Sequence, residues 1–516
     1  MHSLPLLDVA IIVLYLIAMI LVGVWFSRKN KSSEQFTKAS GMIPGWAVGI
    51  SLYATFLSSN TFLGVPGKAF GSNWNALVFS LSMPLAAWVA VKYFVPFYRT
   101  SGGVSAYSHL EHRFGAWART YAMVCFLLTQ LARMGSIFFG IALSLQALTG
   151  YDMTTIMMVT GICIVVYTVM GGIEAVIWTE VVQGVLLTFG GLLILYLIIT
   201  NVDGGVSKII DIGMRDKKFS LGTLDLDFVR PSFWVILLYG FFINLNNFGM
   251  DQNYVQRYHA ATSAKEAAKS VWLCVRLYIP ISLLFFIIGA GLYAYYVQHP
   301  ELTDTIRLQA AAERLPSGAS QDEVVALSNT LKAEDYGDKV MPHFMVSKVP
   351  LGLLGLVISA IMAAAMSTIS SGMNASATVF TEDIYKRYIH PSSTNKQALR
   401  VLFIATAVFG VLGIITGISM IGVKSILDVW WELSGIFAGG MLGLFLLGII
   451  SKKAGNSDAV IAVIVGVLAI LWMTFSYLVP GEYSYLRYPL HANMIIVVGT
   501  LVISLVGSLL ANLRKR

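Results

Sequence analysis

The sequence carries very little charge, since only 12% of its 516 residues are Asp, Glu, Lys or Arg, whereas 57% are hydrophobic. Its mean hydropathy of +0.74 excludes an ordinary soluble globular domain. It has three cysteines, Cys125, Cys163 and Cys274, and all lie in apolar runs, so the sequence indicates neither a disulfide framework nor a metal-ligand spacing. It also lacks a nucleotide-binding glycine loop of the form GxxxxGK[ST], which argues against a protein that uses ATP directly as its energy source.

Long apolar runs fill most of the chain. A bilayer core about 30 Å thick is crossed by roughly 20 apolar residues in a helix, and this length predicts thirteen spans. Their approximate bounds are 7–27, 45–66, 74–97, 118–148, 152–170, 176–199, 232–257, 270–298, 347–380, 399–420, 425–450, 457–479 and 490–512. We therefore predict an all-α integral membrane protein in a lipid bilayer, with the first run kept as a helix because its basic cluster follows it.

Basic residues in the short loops predict the orientation, because positive residues are retained on the cytoplasmic side of a membrane. In a thirteen-span count they fall on one side, at 28–31, 111–119, 265–269, 383–387, 452–453 and 514–516. The N-terminus is therefore predicted outside and the C-terminus in the cytoplasm, in a plasma or inner cell membrane. This bias also explains the net charge of +8, so we predict no nucleic-acid partner.

Two spans are interrupted by polar residues. The second span carries the polar residues 58–61, and the seventh carries asparagine, glycine and aspartate over 244–251. A helix in lipid must satisfy its own backbone, so such interruptions are tolerated only where they line a cavity or are buried in protein. Interruptions five spans apart indicate an inverted five-plus-five repeat with substrate and ions at the midplane. A simple kink or a small-residue packing face is the alternative at each site.

The ninth span contains the hydroxyl-rich stretch AAAMSTISSGMNAS, residues 363–376. Ser367, Ser370 and Ser371 are spaced i, i+3 and i+4 and share one helix face, with Thr368 one step round. Hydroxyls in membrane helices often bond back to the preceding turn, which is the alternative explanation. Neutral oxygens are also ligands that replace the water of a small monovalent cation. The stretch therefore predicts a cation-binding surface.

Two charged residues lie deep in predicted spans, where they are costly and are candidates for function. Arg133 stands near the middle of the fourth span with no acid within one helical turn. It could pair with an acid on another helix or make a bidentate contact with a substrate carboxylate. Glu180, one turn inside the sixth span, could pair with a lysine, cap backbone groups or supply the negative charge of a second monovalent cation site.

Four segments carry a specific resemblance: SAYSHLEHRFG (105–115), YTVMGGIEAVIWTEVVQG (167–184), DQNYVQRYHAATSAKEAAKS (251–270) and AAAMSTISSGMNASATVFTEDIYKR (363–387). They resemble the sodium:solute symporter family over nearly the whole chain, and within it the bacterial sialic acid transporters. The resemblance implies a leucine-transporter-type fold of two inverted five-helix repeats. We expect one transport domain over 1–516, with a leading helix in 1–40, repeats in 41–200 and 230–451, and two trailing helices in 456–516.

The resemblance also implies the site residues. The substrate would be bound by Ser58, Ser59, Thr61, Ser80 and Arg133. The principal sodium ion would be bound by the carbonyls of Ala54, Leu57 and Ala364 and by the hydroxyls of Ser367 and Thr368. A second sodium site would match Glu180, Ser367, Ser370 and Ser371. The family commonly has aspartate at the position of Glu180, so the carboxylate here reaches about one methylene further.

These features predict a sodium-coupled secondary active symporter, and not an enzyme. It would import a carboxylated sugar, N-acetylneuraminate (sialic acid), by alternating access, and it would act as a monomer. One sodium site is expected, with a second as an open question. The rivals are a sodium symporter for proline, another sugar or a vitamin-like acid, and a membrane-embedded enzyme, which would need an acid-base or metal set in the bilayer. Proton coupling is disfavoured because hydroxyl ligands do not titrate.

Overall fold

The computed structural model describes residues 4–27, 32–101, 103–316, 319–422 and 426–514, and these residues form helices and connections without a named strand. The basic residues at 28–31 and at 515–516, which contribute to the predicted orientation, lie outside the described residues. The main helices are α1 Leu6–Ser27, α2 Gly45–Phe56, α3 Asn60–Gly71, α4 Trp74–Thr100, α5 Ala116–Thr149, α6 Met153–Asn201, α7 Phe233–Met250, α8 Gln252–Ala260, α9 Ala264–Gln298, α10 Leu353–Ile389, α11 Asn395–Ser419, α12 Ile426–Ile450, α13 Asn456–Phe475 and α14 Met494–Leu513.

The predicted number of spans agrees with these helices. Within the described ranges, 11 helices are long and apolar enough to cross a membrane, and the bent pair α2–α3 raises the number to 12. Helix α6 has 49 residues, which corresponds to about 74 Å at 1.5 Å per residue and exceeds twice the thickness of a bilayer core. Its backbone departs from the helix at Gly172, with φ 59° and ψ −169°. Dividing α6 there yields thirteen spans, matching the predicted runs 152–170 and 176–199.

The predicted break in the second span is present. Helix α2 ends at Phe56, Leu57 adopts an extended conformation with φ −92° and ψ 130°, and α3 continues at an angle of 58° to α2. The last carbonyl groups of α2 therefore lack the hydrogen bonds that the N–H groups of a following helical turn would donate to them. This leaves backbone oxygens available in the middle of the protein.

The break in the seventh span is narrower than the sequence predicted. Helix α7 continues through the asparagines as far as Met250, and only Asp251 is extended before α8 begins. Asn244 lies within this helix, and its side chain donates from Nδ2 to Ser82 Oγ of α4 at 3.2 Å. Asp251 accepts from the backbone N–H of Asn253 at 2.8 Å and so caps the N-terminus of α8.

Helix α10 lies at the centre of the bundle, and every residue from Val357 to Val379 is buried. Its N-terminal end is capped by Asp8 of α1, whose Oδ1 accepts from the backbone N–H groups of Gly352 at 2.9 Å and Gly355 at 2.6 Å. Farther along, the hydroxyl of Tyr167 donates to the carbonyl of Met366 at 3.1 Å. These contacts fasten α10 to α1 and α6.

The two long connections, 200–231 and 299–346, contain helices of their own: Gly205–Arg215, Pro300–Ala312, Gln321–Thr330 and Ala333–Lys348. The first connection also fastens the end of α3. Lys218 is buried, and its Nζ donates to the carbonyls of Phe70 at 2.6 Å and Ser72 at 2.9 Å. Burial lowers the pKa of Lys218 to about 8.

Candidate substrate and cation sites

The five predicted ligands of the principal cation come together between the α2–α3 break and α10. Ser367 Oγ lies 3.1 Å from the carbonyl oxygen of Ala54 and 3.0 Å from that of Ala364. Thr368 Oγ1 lies 3.0 Å from the carbonyl oxygen of Leu57 and 3.4 Å from that of Ala364. All five residues are buried. The five residues that the family resemblance implies therefore lie in one cluster, and their role as ligands stays a prediction.

The chemistry of this cluster suits a small monovalent cation. It offers three carbonyl and two hydroxyl oxygens, all neutral, which can replace the water around such an ion without burying several carboxylates. The hydroxyls donate to the carbonyls and can rotate to present their lone pairs instead. The described part of the chain holds no group of three or more His, Cys, Asp or Glu residues suited to a metal ion.

Arg133 of α5 lies beside this cluster and is buried, with 8% of its surface exposed. Its Nη2 donates to the carbonyl of Thr55 at 2.8 Å, and its Nη1 lies 3.6 Å from Asp251 Oδ2. The ion pair with an acid on another helix, one of the two readings left open by the sequence, is therefore present. Because Arg133 also borders a cavity, the second reading, a contact with a substrate carboxylate, stays compatible with its position.

The cavity lies between the α2–α3 break and helices α4, α5, α7, α9 and α12. Four of the five predicted substrate residues line it, namely Ser58, Thr61, Ser80 and Arg133. The fifth, Ser59, is not among the lining residues that the structure describes. Its hydroxyl is turned toward α5 and donates to the carbonyl of Ile137 at 3.1 Å. Ser58 lies in the unwound segment that includes Leu57, so the two neighbouring side chains point in different directions.

Sequence reasoning did not predict most of the other residues that line the cavity. They include Asn60, Phe79, Tyr239, Asn247, Tyr278, Ser282 and Trp431. Ser282 Oγ lies 2.7 Å from Ser80 Oγ, and Phe79 stacks on Trp431 with ring centroids 5.5 Å apart. A single hydroxyl or ring within a long apolar run carries no pattern, so the only available signal was the polar character of Asn60 and Asn247 in the two interrupted spans.

Glu180 of α6 has a partner that the sequence did not identify. Both of its carboxylate oxygens accept from Nη2 of Arg257 on α8, at 2.7 and 2.6 Å. An ion pair, one of the alternatives left open by the sequence, is therefore present, with an arginine in place of the suggested lysine. The hydroxyls of Ser51 and Ser371 also donate to this carboxylate.

The other serines predicted for a second cation site do not all converge on Glu180. Ser371 contacts the carboxylate, whereas Ser370 Oγ donates to the carbonyl of Ser367 at 3.1 Å. The hydroxyl of Ser367 donates to the carbonyl of Ala54 and so belongs to the principal cation cluster. The second sodium site stays a prediction that no observation tests directly, and the carboxylate at its centre is already paired with a guanidinium.

The family model of the sodium:solute symporter family matches residues 36–466. The chain belongs to the sodium:solute symporter family. Among its relatives in this family, the sodium/sialic acid symporter NanT of Aliivibrio fischeri is 32% identical over 508 residues, covering 97% of this chain and 92% of the relative. The sodium/sialic acid symporter SiaT of Proteus mirabilis is 33% identical over 506 residues, covering 97% and 95%.

A solved structure of another symporter shares the fold. It is the substrate-bound, outward-open state of a Na+-coupled sialic acid symporter, which matches with a TM-score of 0.84 and 31% identity and covers 99% of this chain and 98% of that one. The predicted class, an all-α membrane protein of about thirteen spans with this transporter fold, is therefore confirmed. The exact division into repeats at 41–200 and 230–451 stays a prediction.

Proposed function

We propose that this sodium:solute symporter imports N-acetylneuraminate together with sodium, by alternating access. The observation that carries the proposal is the position of Arg133, which borders the cavity and contacts the backbone next to the cation cluster. Two relatives that cover 97% of this chain are named sodium/sialic acid symporters, which supports the choice of ion and substrate.

The cavity chemistry supports an acidic sugar. Among the described lining residues, Arg133 carries the only formal charge, and a guanidinium binds a carboxylate through two parallel hydrogen bonds. The hydroxyls of Ser58, Thr61, Ser80 and Ser282 can donate to and accept from the hydroxyls of a sugar. Tyr278 and Phe79 supply apolar surface for the faces of a sugar ring.

The two sites share one backbone group, which supports their coupling. The carbonyl of Thr55 accepts from Arg133 Nη2 at 2.8 Å and lies 3.5 Å from Thr368 Oγ1. A sodium ion bound between Leu57 and Thr368 would hold α2 against α10 and so set the position of Thr55 and, through it, of Arg133. Each ligand then favours binding of the other by the same free energy, and release of sodium into a low-sodium cytoplasm weakens substrate binding.

The proposal includes an orientation and an assembly state. We infer that the N-terminus lies outside and the C-terminus in the cytoplasm of the cell membrane, from the odd number of spans and the basic short loops. We also infer a functional monomer, because one chain by itself brings the five predicted cation ligands together and lines the cavity with residues of several helices. A reporter enzyme fused to the C-terminus, active only in the cytoplasm, tests the orientation.

Transport into liposomes tests the function. Purified protein is reconstituted, and uptake of labelled N-acetylneuraminate is measured with an inward gradient of sodium, potassium or protons imposed separately. We expect uptake only with the sodium gradient. Uptake indifferent to sodium would contradict the coupling, and uptake of a different acid, but not of N-acetylneuraminate, would contradict the substrate while leaving the coupling intact.

A further inference from the structure

The Glu180 carboxylate is surrounded by groups suited to a bound cation, and a side chain already supplies that cation. We propose that the guanidinium of Arg257 occupies the place of a second sodium ion, so that this symporter binds and transports one sodium ion per substrate molecule. The inference rests on the proposed function for its transport readout, whereas its binding readout does not depend on the substrate.

The guanidinium of Arg257 is surrounded by carboxylate, hydroxyl and carbonyl oxygens, as a bound cation would be. Nη2 donates to both Glu180 oxygens at 2.7 and 2.6 Å and to Ser371 Oγ. Nε donates to Ser51 Oγ at 2.7 Å, and Nη1 donates to the carbonyl of Asn253. These partners come from α2, α6, α8 and α10, so the guanidinium joins four helices in the way that a coordinated cation would.

Charge balance disfavours an additional ion at this place. Arg257 and Glu180 are both fully buried, at 0% exposure, and together they carry no net charge. A sodium ion added beside the carboxylate would bring a second positive charge next to the guanidinium in a region of low dielectric, where repulsion is strong. It would also compete for the oxygens of Ser51 and Ser371 that Arg257 already uses.

The Glu180 side chain reaches Arg257 with both of its carboxylate oxygens. Glutamate reaches about one methylene further than aspartate, and here its two oxygens meet the same nitrogen of Arg257. Thr55 adds a hydroxyl 3.4 Å from Glu180 Oε1. If the guanidinium were removed, one carboxylate and the hydroxyls of Ser51, Thr55 and Ser371 would remain, a donor set that suits a monovalent cation.

Sodium binding without substrate tests the inference directly. Equilibrium dialysis of the purified full chain against radioactive sodium measures the number of ions bound per molecule. We expect one ion in the wild type and two in Arg257→Gln, which removes the guanidinium and its charge and leaves a shorter, neutral side chain. The matched control is Arg257→Lys, which retains the charge and should bind one ion.

Transport provides the second measurement. In liposomes, the ratio of sodium to N-acetylneuraminate fluxes should be one in the wild type. With a singly negative substrate, one sodium ion moves no net charge, so an imposed potential of about 100 mV should leave accumulation unchanged, whereas two sodium ions would raise it about 50-fold.

The outcomes separate the role of Arg257 from the proposed symporter function. Two sodium ions bound to the wild type, or a potential-dependent accumulation driven by sodium, would overturn the role of Arg257 while leaving the symporter function intact. One ion in both the wild type and a folded Arg257→Gln would also overturn it. If Arg257→Gln fails to fold, the wild-type count and the Arg257→Lys count still decide the number of ions. Absence of sodium-driven uptake of N-acetylneuraminate, together with one bound ion in the wild type and two in Arg257→Gln, would contradict the proposed function and leave the role of Arg257 supported.

Discussion

Replacement of Arg133 tests the substrate site most sharply. A hydrogen bond to a charged group contributes about 1.5–3 kcal/mol, and a guanidinium can make two such bonds with one carboxylate. Loss of both in Arg133→Gln should therefore cost at least about 3 kcal/mol, which corresponds to a roughly 150-fold weaker affinity for N-acetylneuraminate. Arg133→Lys keeps the charge but loses the paired geometry, and a loss of about 1.5 kcal/mol corresponds to roughly 10-fold.

The structure indicates that Arg133→Gln should still fold. Asp251 would lose its ion pair at 3.6 Å, but it would keep the backbone and side-chain N–H groups of Asn253 at 2.8 and 2.7 Å and the amide of Gln130 at 3.3 Å. Isothermal titration calorimetry at saturating sodium measures the affinity, and thermal unfolding in detergent measures stability. An affinity within about threefold of the wild type, accompanied by a lower Tm, would refute the reasoning and leave Arg133 as a structural partner of Asp251.

Three further predictions concern the cation site, the cavity wall and the connection after α6. Ser58→Ala should weaken substrate affinity about fivefold, because one hydrogen bond contributes about 1 kcal/mol, whereas the adjacent Ser59→Ala, whose hydroxyl faces α5, should leave the affinity measured by calorimetry unchanged. Thr368→Val should raise the sodium concentration needed for half-maximal uptake by roughly 5-fold or more. Ser359→Ala on the same helix should leave it unchanged, because the Ser359 hydroxyl donates to a carbonyl of its own helix at 2.8 Å. Equal effects of the two substitutions would contradict the cation site. Burial lowers the pKa of Lys218 from 10.5 to about 8, so between these pH values the unfolded chain binds more protons than the folded chain. The Tm in detergent should therefore rise from pH 8 to pH 10. Lys218→Met should abolish that rise.

Features that depend on local composition were determined by the sequence alone. Apolar length identified the thirteen spans, because the thickness of a bilayer fixes how many apolar residues a helix needs. The polar residues at 58–61 identified the break between α2 and α3, since lipid does not tolerate unsatisfied backbone. The resemblance to a family identified the cluster around Ser367 and Thr368, whose partners lie at a break visible in the sequence.

The pairing of charges and the direction of each side chain were decided only by the tertiary structure. Arg133 meets Asp251, and Arg257 meets Glu180, across separations of more than 75 residues that carry no periodic signal. Whether a serine faces the cavity, as Ser58 does, or a neighbouring helix, as Ser59 does, depends on the unwound geometry at Leu57. A buried charge must find its partner among whichever helices pack around it, and that choice is made by the assembled bundle.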